Sequence, residues 1–273
     1  MLSRSSYYAA CLFAIYSGII RSMAVKRTKN LYIPGASTPF KLSRSRLENF
    51  IRCPRCFYLD RRLGVDHPSM PGFTLNSAVD TLLKKEFDIL RAKRQAHALM
   101  REYGLDAVPL EHENMDVWRE NFQGVQYLHP PTNLLIFGAV DDIWVTPDGE
   151  LIVVDYKSTS KEGEVSLDDE WKDGYKRQME IYQWLLRQNG HQVSDTGYFV
   201  YANGRKDLKA FDAKLEFNIQ LLPYEGDDSW VEPAIIQAHA CLNADQIPPA
   251  NEACEYCQYF YARQQLEDKR DDS

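Results

Sequence analysis

No run of about 18 apolar residues occurs anywhere in this chain, so it offers no obvious membrane-spanning helix. Cysteine is sparse: six in 273 residues. That excludes the disulfide framework of a small secreted scaffold, which is short and Cys-dense. Positive charge is not in excess either, the formal net charge being −7. A globally basic field of the kind that draws a protein onto nucleic acid is therefore missing. The total hides a local asymmetry, because acids gather at 162–173 and after Glu267 while Lys41 to Arg62 is basic. Internal repeats and low-complexity tracts are absent, which excludes a solenoid. The length allows one large domain or two small ones, with enough chain to bury a core.

The amino-terminal stretch Tyr7 to Ile20 is apolar but short, and Arg4 precedes it. It has the shape of a signal-peptide core, with Ser22-Met23-Ala24 as a poor cleavage site. Met23 followed by Ala-Val-Lys-Arg reads as an ordinary cytoplasmic start, so residues 1–22 are taken as a start-site artefact or disordered leader. The expected organisation is a leader over 1–40, one domain over 41–263 and an acidic tail over 264–273, in a cytoplasmic protein.

Ser43 or Ser45 can cap a helix reaching Phe57, with Pro54 forcing a kink or restart. Leu75, Val79, Leu82, Leu83, Phe87 and Leu90 form one apolar stripe at helical spacing, predicting a long helix over 73–100. Leu134 to Val145 is rich in strand formers, Thr146-Pro147-Asp148-Gly149 is a turn, and Leu151 to Val154 is an apolar run. Together they predict an antiparallel hairpin whose second strand is buried. A helix over 171–189 with Gly190 at its end, strands at Gly197–Tyr201 and Lys214–Leu222, and a helix over Trp230–Leu242 complete the pattern. The fold class is α/β, a mixed central sheet flanked by helices.

Two carboxylates and a lysine stand out on that hairpin. Asp141 sits on the first strand, and Asp155 and Lys157 at the end of the second. Alternation along a strand points Asp155 and Lys157 the same way and Tyr156 the other. Pairing across the turn can bring Asp141 beside Asp155. Two acids at the end of an apolar strand are costly unless a cation lies between them. Hard oxygen ligands suit Mg²⁺ or Mn²⁺. Lys157 would then position or help activate an attacking water. An Asp-x-Lys triplet alone reads better as a surface hairpin ending in solvated Asp and Lys, because such triplets are common on charged surfaces.

The whole order of motifs is more specific. Gly138-Ala-Val-Asp141, a hairpin, then Val154-Asp155-Tyr156-Lys157-Ser-Thr resembles the catalytic motif of the RecB-like PD-(D/E)xK nucleases. Ser43-Arg-Ser-Arg-Leu47 leading to Cys53-Pro-Arg-Cys56-Phe57 is similar to that family's amino-terminal motif, and Gln178-Met-Glu-Ile-Tyr182 resembles its Gln-x-x-x-Tyr helix. The resemblance implies a restriction-endonuclease-like core and hydrolysis of DNA phosphodiester bonds, as an exonuclease in repair, recombination or CRISPR-type processing. It implies metal on Asp141 and Asp155, with Gln178 and Tyr182 beside them. A further histidine ligand is expected from the family near residue 80. Here Asp80 stands in that place, and Glu86 is the fallback. DNA is the implied partner. No helicase motif is present, so a helicase or other repair protein would be a separate chain. Arg44, Arg46, Arg52, Arg55, Arg61 and Arg62 are candidates for tracking the backbone. The competing functional reading is a non-catalytic nucleic-acid-binding or scaffolding module on the same fold, which would not need all of Asp141, Asp155 and Lys157.

Cys53-x-x-Cys56 and Cys254-x-x-Cys257 lie at opposite ends of the predicted domain. Two such pairs make a complete four-thiolate site for Zn²⁺ or an iron–sulfur cluster. Similar CRISPR-associated nucleases hold a [4Fe–4S] cluster with one amino-terminal and three carboxy-terminal cysteines, whereas the split here is two and two. Oxidation of the pairs to disulfides, in a secreted chain, is the competing reading. Cys11 and Cys241 have no partner in the sequence.

Overall fold

The computed structural model describes residues 26–68 and 72–271; the leader reading and Cys11 lie outside the described residues. Strand β1 (Phe40–Ser43) runs straight into helix α1 (Arg44–Arg52). Cys53 breaks the helical path with an extended backbone, φ −161°, and α2 (Pro54–Leu63) restarts with Pro54 in its first turn, where the missing N–H costs nothing. The expected helix to Phe57 is thus two helices hinged at a cysteine.

The long helix expected over 73–100 is also divided. Helix α3 (Thr74–Arg91) stops, Arg94 takes a left-handed turn at φ 51°, and α4 (Ala98–Glu102) starts afresh, capped by the His97 ring nitrogen accepting from the Leu99 amide. Only the narrow face carrying Leu83 and Phe87 is buried, while Leu75 and Leu82 of the predicted stripe stay exposed.

The strand run Leu134 to Val145 is divided for a different reason. After a two-residue strand β2 (Val108–Pro109), a short helix α5 (Met115–Trp118) and strand β3 (Val125–His129), strand β4 (Leu134–Gly138) pairs with β1 and β3 in one three-stranded sheet. The chain then crosses to a second sheet as β5 (Asp142–Val145). At the crossing the Val140 amide bonds the Trp118 carbonyl, and Arg119 Nε holds the Asp141 carbonyl at 3.0 Å. The second sheet has the order β2-β5-β6-β7-β8, with β6 at Leu151–Thr159, β7 at Thr196–Gly204 and β8 at Phe217–Glu225. Strands β6 and β7 are parallel and the other pairs antiparallel, so the sheet is mixed as expected. Gly149 closes the β5–β6 turn at φ +90°, a conformation only glycine adopts cheaply.

The crossover between β6 and β7 carries helix α6 (Asp173–Gln188), which packs on β3 and β4 of one sheet and β6 of the other. Its residues Gln178 through Leu186 are all buried. A helix wedged between two layers loses its polar face, which explains that run. Leu151 and Val153 of β6 join the core on the α6 side, whereas Ile152, Val154 and Tyr156 join the core on the α3 side. Helices α7 (Val231–Asn243) and α8 (Glu255–Asp271) follow, and α8 continues through the residues read as an acidic tail. Among the described residues no helix is long and apolar enough to cross a membrane.

One buried charge cluster pins α3 to the hairpin. Asp142, fully buried, takes the Arg91 and Arg119 guanidinium groups on Oδ1 and the Tyr156 hydroxyl on Oδ2 at 2.7 Å. Removing one partner of such a cluster strands the others without water. Asp142→Ala should cost roughly 3–5 kcal/mol in a urea-unfolding experiment, while Asp142→Asn should cost less. A loss below about 1 kcal/mol for Asp142→Ala, the level of an exposed ion pair, would show that the cluster does not anchor the fold.

Candidate active site

The register of the hairpin sets the site. The ladder ends where Asp142 pairs with Val154, and just beyond it the Tyr156 amide donates to Asp141, which brings that acid beside Asp155. Asp155 and Lys157 project toward α6 and Tyr156 toward α3, as strand alternation requires. Asp155 is fully buried. Its Oδ1 accepts from Gln178 Nε2 at 2.6 Å, and the same amide group reaches the Tyr182 hydroxyl at 3.1 Å. Its Oδ2 has the Lys157 ammonium against it but no hydrogen-bond partner. Lys157 Nζ lies 4.5 Å from the centroid of the Tyr175 ring.

Asp141 reaches the other way. Its Oδ2 accepts the Tyr156 amide at 2.9 Å, and its Oδ1 faces Lys84 Nζ at 3.1 Å. Lys84 Nζ is also 3.0 Å from Asp80 Oδ2, one turn back on α3. Asp80 therefore stands at the site through a lysine. Glu86 does not, since its carboxylate bonds His97 at 2.9 Å. Gly138, at the start of the Gly-x-x-Asp motif, is needed for space: a Cβ there would come within 2.5 Å of the Tyr182 ring.

The charges pull the two acids apart. Burial pushes the Asp155 carboxyl up to about 6 against the pull of Lys157, and the charge on Asp141 adds to the rise. Burial acts on Asp141 too, but Lys84, Lys157 and the Tyr156 amide overcome it and hold that carboxyl below the usual range. Asp80 is raised, by burial and then by Asp141. Lys157 is raised, its two carboxylate neighbours outweighing its burial, so it stays an ammonium. The Arg44 guanidinium lies about this group as well, 6.0 Å from the centre of the Tyr182 ring.

Other arginines of the basic stretch are otherwise engaged. Arg61 is buried against Asp60, Arg46 pairs with Asp60 and Asp66, and Arg55 donates to the Pro248 carbonyl at 3.0 Å. None of these three presents a free guanidinium for a phosphate.

The four cysteines of the two Cys-x-x-Cys pairs come together. Their sulfurs lie within 4.8 Å of one another, with Cys53 to Cys257 and Cys56 to Cys254 each at 3.7 Å. All four are free thiols, so the disulfide pairing does not hold in this structure. Burial raises Cys53 and Cys56, while Cys254 is lowered because the Cys257 amide and neighbouring thiols outweigh its partial burial. Cys241 stands apart, its sulfur on the Pro54 carbonyl. Among the described residues no other group of three or more Cys, His, Asp or Glu ligand atoms gathers as closely, so Asp80, Asp141 and Asp155 are spread more widely than the thiols.

A sequence model of the PD-(D/E)XK nuclease superfamily matches residues 74–260, more than half of the chain. The chain belongs to that superfamily. A search of curated proteins finds no match. Among solved structures, one described as the crystal structure of SSO0001 aligns at 15% identity over 86% of this chain and 88% of that one, with a TM-score of 0.34.

For a PD-(D/E)XK chain, the residues that sequence reasoning missed are cations. Lys84 was legible as the i+4 neighbour of Asp80, a spacing that puts both on one helix face. Arg44 was noted only for its charge. The Asp142–Arg91–Arg119 cluster left no local signal, its two arginines standing 51 and 23 residues from Asp142 in sequence.

The Asp155 shift has a measurable consequence. An unfolded aspartate titrates near 3.8 and the folded one near 6. The folded state therefore binds the proton more tightly, and that contribution to stability is present below pH 3.8 and lost as pH rises through about 6. In buffer free of magnesium and manganese, wild type should lose stability relative to Asp155→Asn between about pH 4 and 6. Parallel unfolding free energies for the two proteins across that range would remove the shift.

Proposed function

We propose that this chain is a RecB-like, Mg²⁺- or Mn²⁺-dependent deoxyribonuclease that hydrolyses phosphodiester bonds. The observation that supports it best is the meeting of Asp141, Asp155 and Lys157 at one end of the hairpin, beside Gln178 and Tyr182. The residues fit a hard divalent cation. Asp155 is a fully buried carboxylate whose Oδ2 has only the Lys157 ammonium against it, and Asp141 supplies a second carboxylate. Such all-oxygen sets suit Mg²⁺ or Mn²⁺. Asp80 is the third acid of the proposed set, within one lysine's reach of Asp141.

A metal held there would supply Lewis-acid stabilisation of the charge that develops on the phosphoryl oxygens. The protein's own groups do the rest. Gln178 fixes the rotation of the Asp155 carboxylate, and the Tyr156 amide fixes that of Asp141. Lys157 stays protonated between them, so it orients the attacking water as a donor and charge rather than as a base. Tyr182 stays a phenol, because burial raises it, and so can donate beside Arg44. Arg44 is the guanidinium placed to meet a phosphate at this end of the sheet.

The second part of the proposal is a bound metal, Zn²⁺ or a [4Fe–4S] cluster, at Cys53, Cys56, Cys254 and Cys257. Four sulfurs gathered from chain positions some 200 residues apart support it. Protein purified without oxygen should carry iron or zinc, and Cys53→Ser should lose it. Neither metal present with four titratable thiols would reject the site.

The nuclease reading is tested with end-labelled single- and double-stranded DNA, and with RNA, in Mg²⁺ and in Mn²⁺. Asp141→Ala, Asp155→Ala and Lys157→Ala should each slow cleavage by roughly a hundred-fold or more while circular dichroism stays native. Wild-type rates in any of them would overturn these roles. Binding of DNA with no cleavage under any condition would favour a non-catalytic module.

A further inference from the structure

The carboxylates at the active site are not left facing one another. Asp80 on α3 and Asp141 at the head of β5 have one ammonium between them, Lys84 Nζ at 3.0 and 3.1 Å. Both contacts are to the oxygen on the near side, Asp80 Oδ2 and Asp141 Oδ1, and the other Asp141 oxygen is held by the Tyr156 amide. The Lys84 side chain is about three-quarters covered, so water does little to replace either contact. A divalent cation between Asp80 and Asp141 would need these same two oxygens. An ammonium with three donors and a metal ion cannot share them at ligand distances of about 2.1 Å.

We propose that Lys84 is the internal counter-ion of the metal-free site: it occupies the metal position between Asp80 and Asp141 and must be displaced when the metal binds. This rests on the nuclease reading above, but it concerns the metal step alone. The lysine is built for displacement. Its ammonium sits on a flexible four-carbon stem. Residues on either side of it on α3, Leu83 and Phe87, are locked in the core, so the stem can swing while the helix stays put. Metal-free, the two acids are kept close without mutual repulsion. With metal bound, the displaced ammonium remains within a stem's length of the site. The consequence is a lowered apparent metal affinity, since the metal competes with an ion pair that is already formed.

Mn²⁺ binding to the full chain, as purified, reads this directly by paramagnetic resonance, without any cleavage step. Lys84→Met should bind Mn²⁺ roughly five- to ten-fold more tightly than wild type. Lys85→Met, one position on and exposed, removes the same charge without touching either acid and should change affinity less than two-fold. Lys84→Arg holds two carboxylates at once with its fork and should bind Mn²⁺ more weakly than wild type. Unchanged or weaker binding in Lys84→Met overturns the proposal, as does equal tightening in Lys85→Met, which would be a general field effect. Should Lys84→Met not fold, Lys84→Arg decides: weaker binding supports the proposal, and unchanged or tighter binding overturns it. Asp141→Asn separates the two readings. If it abolishes Mn²⁺ binding while Lys84→Met leaves it unchanged, the metal site stands and the counter-ion role falls; if wild type binds no Mn²⁺, both fall.

Discussion

Like charges brought together out of water set the terms for this structure. Asp141 and Asp155 stand opposite each other at the end of a buried hairpin, and Asp80 approaches from α3. Each carboxylate moved from water costs several kcal/mol unless a cation or donors replace its hydration. The fold answers with cations from three different elements: Lys157 from the strand itself, Lys84 from α3, and Arg44 from the start of α1. Neutral donors complete the shell, Gln178 on Asp155 and the Tyr156 amide on Asp141. The Lys157 ammonium lies directly against the other oxygen, Asp155 Oδ2, so that oxygen too has a cation beside it.

The adjacent acid is enclosed in a different way. Asp142 follows Asp141 directly, yet alternation turns it to the α3 side of the sheet. There it is saturated by two arginines and a tyrosine hydroxyl. Tyr156 links the two layers, giving its amide to Asp141 and its hydroxyl to Asp142. Burial, then the Asp142 charge, raise that hydroxyl well above its ordinary range, so it remains a donor. One strand step thus separates an acid held by a partly exposed lysine from one enclosed by two arginines and a phenol.

Much of this could be read from the residues in order, because the hairpin's pairing is local. A turn at Pro147-Asp148-Gly149 with alternating flanks specifies the register, and the register specifies that Asp141 meets Asp155. Gln178 and Tyr182 follow from helical spacing once the helix is placed. What could not be read depends on packing between distant segments. The Leu75–Leu90 stripe looks wide enough for a fully seated helix, but only the Leu83–Phe87 strip finds a neighbour. The run Leu134–Val145 reads as strand-rich as a whole, and its poor strand formers Gly138, Ala139 and Asp141 fall where the chain changes sheets, though they do not say which sheet each half joins. The arginines of 44–62 look alike in sequence, yet Asp60 withdraws Arg46 and Arg61 from solvent.

The two clusters of ligand-type residues are mechanically joined by α1. Arg44 begins that helix beside Tyr182, and Cys53 ends it as its carboxy-terminal cap. Nine helical residues span about 13 Å and bend little, so fixing one end aims the other. At the far end, the Cys53 and Cys56 sulfurs lie 3.7 Å from those of Cys257 and Cys254 respectively. Glu48, midway along, is gripped by both nitrogens of Arg177 at 2.8 and 2.9 Å, and Arg177 precedes Gln178 on α6. The orientation of α1 is therefore set by charged groups at two points, Arg44 at its start and Glu48 at its middle. Helices α1 and α2 are also tied to the carboxy-terminal segment without the thiols, because Tyr58 donates to the Ala244 carbonyl and Asn251 to that of Arg52. A metal ion bound by the four thiols, as proposed, would close a loop of some 200 residues at the end of the helix that carries Arg44.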